Sequence, residues 1–285
     1  MSLVVNNNLM ANSAARHLND SYGALSTSTE RLSSGLRINS SADDAAGLAV
    51  RELMRSDVST LNQGIRNAND GISMIQTADG ALSVIDEKLI RMKELAEQAS
   101  TGTYTDEQRA IIDSEYQAMA SEITRIANAT DFNGIYLLNG NLSGDGITIH
   151  FGTGNDAAED KYDVTIGTTT ASALGVGLSG NADRAGAVVS TQAAAEAALE
   201  ALDAAIVSKD KIRANLGAME NRLSATVSNL EVQAENLQAA ESQISDVDVA
   251  TEMTEYTKQQ IITQSAVAML SQANSLPQMA LSLIG

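Results

Sequence analysis

Cysteine and tryptophan are absent from this chain of 285 residues, phenylalanine occurs twice and proline once. Without cysteine there is no disulfide framework and no thiolate metal site. So few aromatic rings and prolines favour long helices with slim packing over a thick globular core. The length allows one or two domains.

Positive charge is also scarce, since 18 Lys and Arg residues stand against 36 Asp and Glu and the net charge is −18. Binding to a phosphate backbone needs basic patches, so this charge disfavours nucleic acid. It equally opposes contact with anionic membrane surfaces. We therefore expect no nucleic-acid partner and no membrane partner, and a soluble chain that avoids random association.

The residues that usually carry catalysis are few. His17 and His150 belong to no His-Glu-x-x-His pattern, which disfavours a zinc hydrolase. A Gly-x-Gly-x-x-Gly match at 175–180 lacks the βαβ unit of a dinucleotide site. The acidic pairs at 43–44 and 246–248 lack the glycine and glutamate of a calcium loop. We predict no enzyme activity, no catalytic residue, no metal site and no cofactor.

The last 27 residues, 259–285, contain no charged side chain. Large apolar residues recur there at every seventh position, namely Ile262, Met269, Leu276 and Leu283. A membrane span is one reading of such a stretch, but its amide side chains, such as Gln272 and Gln278, would be costly in lipid. The heptad instead predicts a helix that packs against a partner helix.

The same spacing occurs near the N-terminus, where a row of apolar residues runs through Val4, Ala11, Leu18, Leu25 and Leu32. It predicts an amphipathic helix over 6–33 that breaks at 34–35. The two chain ends are natural partners, so we expect an antiparallel or staggered coiled coil. In it, the C-terminal heptad row would face Leu18, Leu25 and Leu32 of the same chain.

A second, longer helix follows the first break. Ser41 is its predicted N-cap, and it runs to about Ser100, roughly 80 Å at 1.5 Å per residue. That length is typical of a rod rather than a compact globule. Thr105 is the predicted N-cap of a third helix, which 131–134 closes.

The remainder of the chain alternates irregular and helical segments. Apolar residues at 147–151 and 162–166 predict a β-hairpin with a long loop. A last long helix begins near 185–193 and carries a heptad row: Leu216, Leu223, Leu230, Leu237 and Ile244. A break at 246–250 precedes the terminal helix.

The predicted fold class is mainly α: a long helical rod with paired N- and C-terminal coiled-coil helices and a small β-hairpin region. Residues 1–42 and 246–285 form the predicted terminal-helix domain. Residues 43–245 form the helical rod domain, with the β-hairpin and a Gly-rich connector at about 139–184. The terminal helices consist largely of Ala and polar residues, so we expect them to become fully ordered only among other copies.

Two segments near the N-terminus form long and specific motifs: residues 30–40, ERLSSGLRINS, and 42–49, ADDAAGLA. They are similar to the N-terminal hallmark of bacterial flagellin. The segments FNG at 132–134 and LSQANSLPQ at 270–278 also match this family. The resemblance covers about 1–140 and 185–285. Because the segment between these parts is short, it implies a short form that lacks the outer variable domains.

This resemblance implies a structural subunit that self-assembles into the extracellular filament of the bacterial flagellum and serves motility. Export through the flagellar type III apparatus fits residues 1–10, which show no Sec signal. The expected partners are many identical subunits in a homopolymer, the flagellar cap, junction proteins and an export chaperone. The terminal-helix domain would form the filament core and the rod its outer wall.

Two sets of site residues follow from the heptads and the resemblance. Self-assembly is predicted to use Leu18, Leu25, Leu32, Ile262, Met269, Leu276 and Leu283. Arg91, Leu95 and Glu115 match the residues through which a mammalian Toll-like receptor recognises flagellins, although Ile90 stands where the family commonly has Gln. The alternative is that Arg91 and Glu115 are solvated charges and Leu95 is a subunit contact.

Other readings stay open at this point. A hook–filament junction protein shares weak terminal motifs with flagellin and is the main alternative. An enzyme embedded in a flagellin scaffold is disfavoured by the short middle of the chain and the missing His-Glu-x-x-His. The sequence leaves open whether the filament is external or periplasmic, and whether Ser and Thr residues at 165–172 or Ser179 carry glycans.

Overall fold

The computed structural model of the chain describes residues 8–144, 146–177 and 186–284, apart from the side chains of 276–278 and 280–284. Val4, Ser179 and the second half of the glycine motif at 175–180 lie outside the described residues. The side chains of Leu276 and Leu283 do so too.

Six helices and four short strands follow one another in the described ranges. They are α1 (Leu9–Ser34), α2 (Ala45–Ser100), α3 (Asp106–Ala129), β1 (Asp131–Phe132), β2 (Ile135–Tyr136), β3 (Ile147–His150), β4 (Lys161–Val164), α4 (Ala171–Leu174), α5 (Gln192–Ser245) and α6 (Val249–Ile284). The predicted fold class, mainly α with paired terminal helices and a small β-region, is confirmed.

Local chemistry sets several of the helix ends as predicted. α1 ends at Ser34, and Gly35 caps it. The φ of Gly35 is 74°, a left-handed value that glycine adopts without strain, and the Gly35 N–H donates to Arg31 O. α3 begins with a capping box in which Thr105 and Gln108 each accept a hydrogen bond from the other's backbone N–H. These signals act over three or four residues, so the sequence is sufficient to locate them.

The start of α2 differs from the prediction. The Asp44 carboxylate, not Ser41, accepts hydrogen bonds from the N–H groups of Ala46 (3.1 Å) and Gly47 (2.9 Å). Its full negative charge beside the helix N-terminus makes it a stronger cap than a hydroxyl three residues earlier. The prediction of Ser41 as the N-cap was therefore wrong, and the helix begins at Ala45.

Two antiparallel hairpins interrupt the helices. β3 and β4 pair with Ile147 opposite Val164, which confirms the predicted hairpin. The pairing of β1 with β2 was not predicted. Its turn is Asn133-Gly134, where both residues have positive φ, 51° and 81°, as the tightest hairpin turns require.

The chain divides into two compact units. The terminal unit contains residues 1–58 and 235–285, and the middle unit contains residues 59–234. In the middle unit, α2 buries a row of residues spaced by seven: Leu61, Ala68, Ile75, Leu82, Leu89 and Ala96. This regular row forms much of a closed apolar core within a single chain.

The β3–β4 hairpin lies directly against α2 in the middle unit. A Cβ at Gly64 would stand 2.0 Å from Phe151 O, and one at Gly71 would stand 2.2 Å from Ile149 Cδ1. Tyr162 on β4 packs against Phe151 with ring centroids 4.9 Å apart, and the Arg222 guanidinium lies 4.3 Å above the tyrosine ring. The two glycines therefore admit the hairpin to the helix surface.

Candidate assembly surface of the terminal helices

The terminal helices α1 and α6 pack along each other in opposite directions. Asn8 at the start of α1 donates its side-chain amide to Ala273 O at 2.7 Å, far along α6. Arg31 near the end of α1 lies 3.8 Å from the Glu252 carboxylate near the start of α6. These two contacts fix the antiparallel arrangement that the matching heptads predict.

The seam between α1 and α6 consists of small side chains. On α1 the buried residues are Ser21 and Ser28, and on α6 they are Thr263, Ala266 and Ala273. Thr263 satisfies its hydroxyl by donating to Gln259 O at 2.7 Å within its own helix. Small residues let the two helix backbones approach closely, so this seam excludes water without large apolar groups.

The large heptad residues of α6 do not lie in that seam. Ile262 is 38% exposed and Met269 is 63% exposed. The prediction that they face α1 of the same chain is therefore wrong for these two residues. Serine and alanine occupy the buried positions instead, and the larger isoleucine and methionine side chains lie at the edge of the seam.

The predicted residues of α1 occupy an intermediate position. Leu18, Leu25 and Leu32 are half-buried and flank the small-residue seam. The buried part of each of these leucine side chains stabilises the helix pair, and the exposed part remains accessible to solvent. The side chains of Leu276 and Leu283 are outside the description, so their part in assembly stays a prediction.

An uncovered apolar surface results on α6, which we call the outer face. It comprises Ile262 and Met269, which are exposed two turns apart on the same side of the helix; Ile261 and Val267 are exposed at other positions around it. The helix carries no charged residue after Lys258. Clustered exposed apolar groups of this kind mark interaction surfaces, because water contact with them is unfavourable.

The two helix breaks that hold this surface in place are hydrogen-bonded to each other. The Arg37 N–H donates to Ser245 O at 2.6 Å, and the Val247 N–H donates to Gly35 O at 3.0 Å. The Arg37 guanidinium also donates to Ile244 O at 2.7 Å, at the end of α5. We call this pairing the joint, and it sets where α1 ends and α6 begins.

A buried arginine and two carboxylates support the joint. Arg51 donates to Ile38 O at 2.7 Å. Hydrogen bonds from the Ser40 and Asn39 N–H groups lower the pKa of Asp43. Hydrogen bonds from the Thr251 hydroxyl and N–H lower the pKa of Asp248, which caps α6. The arginines were not singled out in the sequence, because no local pattern shows that carbonyls from distant segments converge on them.

The receptor-contact residues predicted from the family lie on α2 and α3 of the middle unit. Arg91 donates to Glu115 Oε1 at 2.8 Å and to Glu94 Oε2 at 2.9 Å, and these hydrogen bonds raise the pKa of Arg91. Both Arg91 and Glu115 are exposed. Leu95 is only 2% exposed, so its side chain belongs to the core. The structure thus brings the two charges together at the surface and leaves the leucine beneath it.

Among the described residues, no group of three His, Cys, Asp or Glu side chains is arranged to hold a metal ion. None of the helices in that part of the chain is long and apolar enough to cross a membrane.

Comparison with known proteins finds two family models and close relatives. The bacterial flagellin N-terminal helical region matches residues 5–143, and the C-terminal helical region matches 199–284. Flagellin FlaB2 of Treponema pallidum is 42% identical over 290 residues, which covers 99% of this chain and 100% of the relative. Flagellin of Halalkalibacterium halodurans is 40% identical over 282 residues, with the same coverage.

A solved structure shares the fold at lower identity. A putative flagellar hook-associated protein from Vibrio parahaemolyticus aligns with a TM-score of 0.57 and 16% identity, covering 72% of this chain and 100% of its own. That likeness is one of fold alone and does not favour the junction-protein alternative. The chain belongs to the bacterial flagellin family, and it is a structural subunit of the extracellular flagellar filament rather than an enzyme.

Proposed function

We propose that subunits of this filament assemble through the outer face of α6, with Ile262 and Met269 at its centre. The observation that carries the proposal is a difference in burial between neighbouring positions of α6. Ala266 and Ala273 are buried in the seam with α1, whereas Ile262 and Met269, one helical turn before them at the edge of the seam, remain exposed. Leu276 and Leu283 continue the same heptad, and Leu18, Leu25 and Leu32 border the surface on α1.

The energetics favour a contact between copies. Full burial of an apolar side chain of this size contributes about 1.5–3 kcal/mol, and a single subunit leaves that contribution unused. The missing charge after Lys258 fits the same role. An unpaired charge at a contact repeated in every subunit would have to be desolvated each time.

The proposal extends to the two domains predicted from the sequence. Residues 1–42 and 246–285 would form the filament core, and residues 43–245 would form the outer wall. The small-residue seam supports this assignment, because it keeps the terminal pair slim and leaves large side chains for neighbouring copies. The flagellar cap, the junction proteins and an export chaperone would meet the same terminal helices.

The test is a charge placed on the outer face. We expect Met269→Asp to abolish or strongly reduce filaments, because an aspartate would be buried in every subunit contact. Electron microscopy of sheared filaments measures the effect. The matched control is Met269→Leu, which should assemble normally. Normal filaments from Met269→Asp, with monomers that keep their helical circular dichroism, would contradict the proposal.

Recognition by a host Toll-like receptor is a second proposal, and the exposed pair of Arg91 with Glu115 supports it. Leu95 would then act indirectly, by packing beneath the pair. We expect Arg91→Ala to weaken the response of receptor-expressing reporter cells. Arg125→Ala is the matched control, because Arg125 is also exposed and paired with a neighbouring glutamate, Glu122. Equal responses to both variants and the parent would remove the proposal.

A further inference from the structure

Lys209 occupies a position where the heptad of α5 calls for an apolar side chain. The buried row on this helix, with a spacing of seven, is Ala195, Leu202, Lys209, Leu216, Leu223 and Leu230. Lys209 is 2% exposed, as deeply buried as its apolar neighbours in the row. A buried ammonium group needs partners, because an unpaired charge is costly to remove from water.

Its partners come from two helices. Lys209 Nζ lies 2.5 Å from Asp86 Oδ1 on α2 and 2.7 Å from Asp210 Oδ1 on its own helix. Asp86 is in turn the centre of a charged row on α2, with Asp79 and Lys93 seven residues to either side.

The two outer members of that row also pair with α5. Asp79 binds Arg213 at 2.7 Å, and Lys93 binds Asp203 at 2.5 Å. The side chains of both outer pairs are between about one-third and two-thirds exposed. Solvent weakens such pairs, so they contribute little to the choice between alternative packings. The pair of Lys209 with Asp86 differs because water is excluded from the lysine.

The apolar rows by themselves leave the register of the two helices ambiguous. Both α2 and α5 repeat their buried apolar residues every seven positions. Sliding α5 along α2 by one heptad, about 10.5 Å, would again place apolar groups against apolar groups. A buried charged residue at one heptad position reduces this ambiguity, because a register that sets a like charge beside it is disfavoured.

The charges penalise a slip in either direction. A slip one way brings Lys209 to the level of Lys93, so that two ammonium groups meet. A slip the other way leaves Lys209 with a carboxylate, because it brings the lysine to the level of Asp79, but it also brings the exposed Asp203 to the level of Asp86, so that two carboxylates meet. The buried lysine therefore acts mainly against the first slip. Like charges at close range are unfavourable, most of all where water is excluded.

We infer that the buried pair of Lys209 with Asp86 helps to select the register of α5 against α2 in the middle unit, by excluding the slip that would set Lys209 beside Lys93. Apolar replacement of both partners of a buried ion pair is often neutral or stabilising, so the pair is not required for the helices to associate. Its contribution is specificity: it distinguishes one heptad alignment from the next. This role is independent of the outer face of α6.

The absence of cysteine makes the register measurable by cross-linking. Glu220→Cys is combined with a second cysteine on α2 and a short bismaleimide. Gln76→Cys reports the observed register, since Gln76 donates to Glu220 at 2.7 Å. Asn69→Cys and Ser83→Cys lie one heptad to either side and report the two slipped registers. All three α2 positions are exposed.

In the parent, we expect the cross-link almost entirely from the Gln76→Cys pair. In the variant Lys209→Met, Asp86→Leu, we expect the yield from Ser83→Cys, which reports the slip toward Lys93, to rise about tenfold as that slipped state becomes populated. The control variant Asp79→Asn, Arg213→Gln removes a partly exposed pair between the same helices, leaves Lys93 and Asp203 in place, and should keep the parental pattern. Unchanged cross-linking in the apolar variant would overturn the inference. Loss of its helical circular dichroism would do so too, because the pair would then be needed for folding itself.

Discussion

The seam between α1 and α6 is made of serine, threonine and alanine, whereas the interior of the middle unit also buries large side chains, chiefly leucine and isoleucine, beside its alanines. In the middle unit, large side chains are buried within one chain. In the terminal unit, large side chains such as Met269 remain outside the seam. The difference shows which unit is complete as a single chain and which keeps part of its burial for neighbouring copies.

The largest expected effect comes from truncating one large side chain in each unit of the monomer. We expect Leu89→Ala to lower the free energy of unfolding by about 2–5 kcal/mol, because it leaves a cavity in a closed core. Met269→Ala should change it by no more than about 0.5 kcal/mol, because that side chain is exposed. Urea denaturation followed by circular dichroism measures both. Similar losses in the two variants would show that Met269 is already buried within one chain.

Glycines provide the next test, since the two units leave different space around them. A Cβ at Gly64 would meet Phe151 O, whereas a Cβ at Gly23 on α1 has nothing within 4 Å. We expect Gly64→Ala to displace the β3–β4 hairpin and cost about 1–3 kcal/mol. Gly23→Ala should stabilise α1 by up to about 1 kcal/mol. Thermal unfolding of the monomer measures both, and stabilisation by Gly64→Ala would contradict the observed hairpin contact.

Enlarging a small residue of the seam between α1 and α6 tests whether this seam accepts a large side chain. We expect Ser21→Leu to lower the stability of the α1–α6 pair by about 1–2 kcal/mol, because the seam has no room for the larger side chain. Ser26→Leu is the control, since Ser26 is exposed on the same helix. Hydrogen exchange of α6 peptides measures the effect. Unchanged protection in Ser21→Leu would mean that the seam tolerates large residues.

The smallest expected effect is a pH dependence at the joint. Asp43 and Asp248 have pKa values below the ordinary 3.8 in the folded chain, because they accept hydrogen bonds from backbone N–H groups. Their stabilisation is complete above that ordinary value and is lost as the pH falls through the lowered values. Exchange in peptides around these residues, corrected for intrinsic rates, should therefore accelerate as the pH falls below about 4. Asp43→Asn with Asp248→Asn should remove that acceleration, and a persistent acceleration would assign it to other groups.

Local signals made much of the fold predictable. Thr105 with Gln108 and the Ser34-Gly35 break specify helix ends through contacts within a few residues, so their positions follow from the sequence. The β1–β2 hairpin was missed although Asn133-Gly134 is a strong turn signal. Its strands have two residues each, too few to show an alternating pattern.

The candidate site was less predictable, because heptads define two stripes on one helix. On α6, Ile262 and Met269 form a large stripe, and Ala266 and Ala273 form a small one. Which stripe meets α1 depends on the shape of the partner, and the buried residues there are serines. Lys209 was missed for a related reason, since a search for apolar repeats stops where a lysine interrupts the row.

The joint has a mechanical consequence. A helix break in a single chain segment permits rotation, because a change in one pair of backbone dihedrals turns all of the chain beyond it. At the joint, two breaks from opposite ends of the chain are pinned side by side by Arg37, Val247 and the carbonyls that they bind. Twisting one of the two segments therefore strains the other, so the paired connection resists torsion more than either segment could alone.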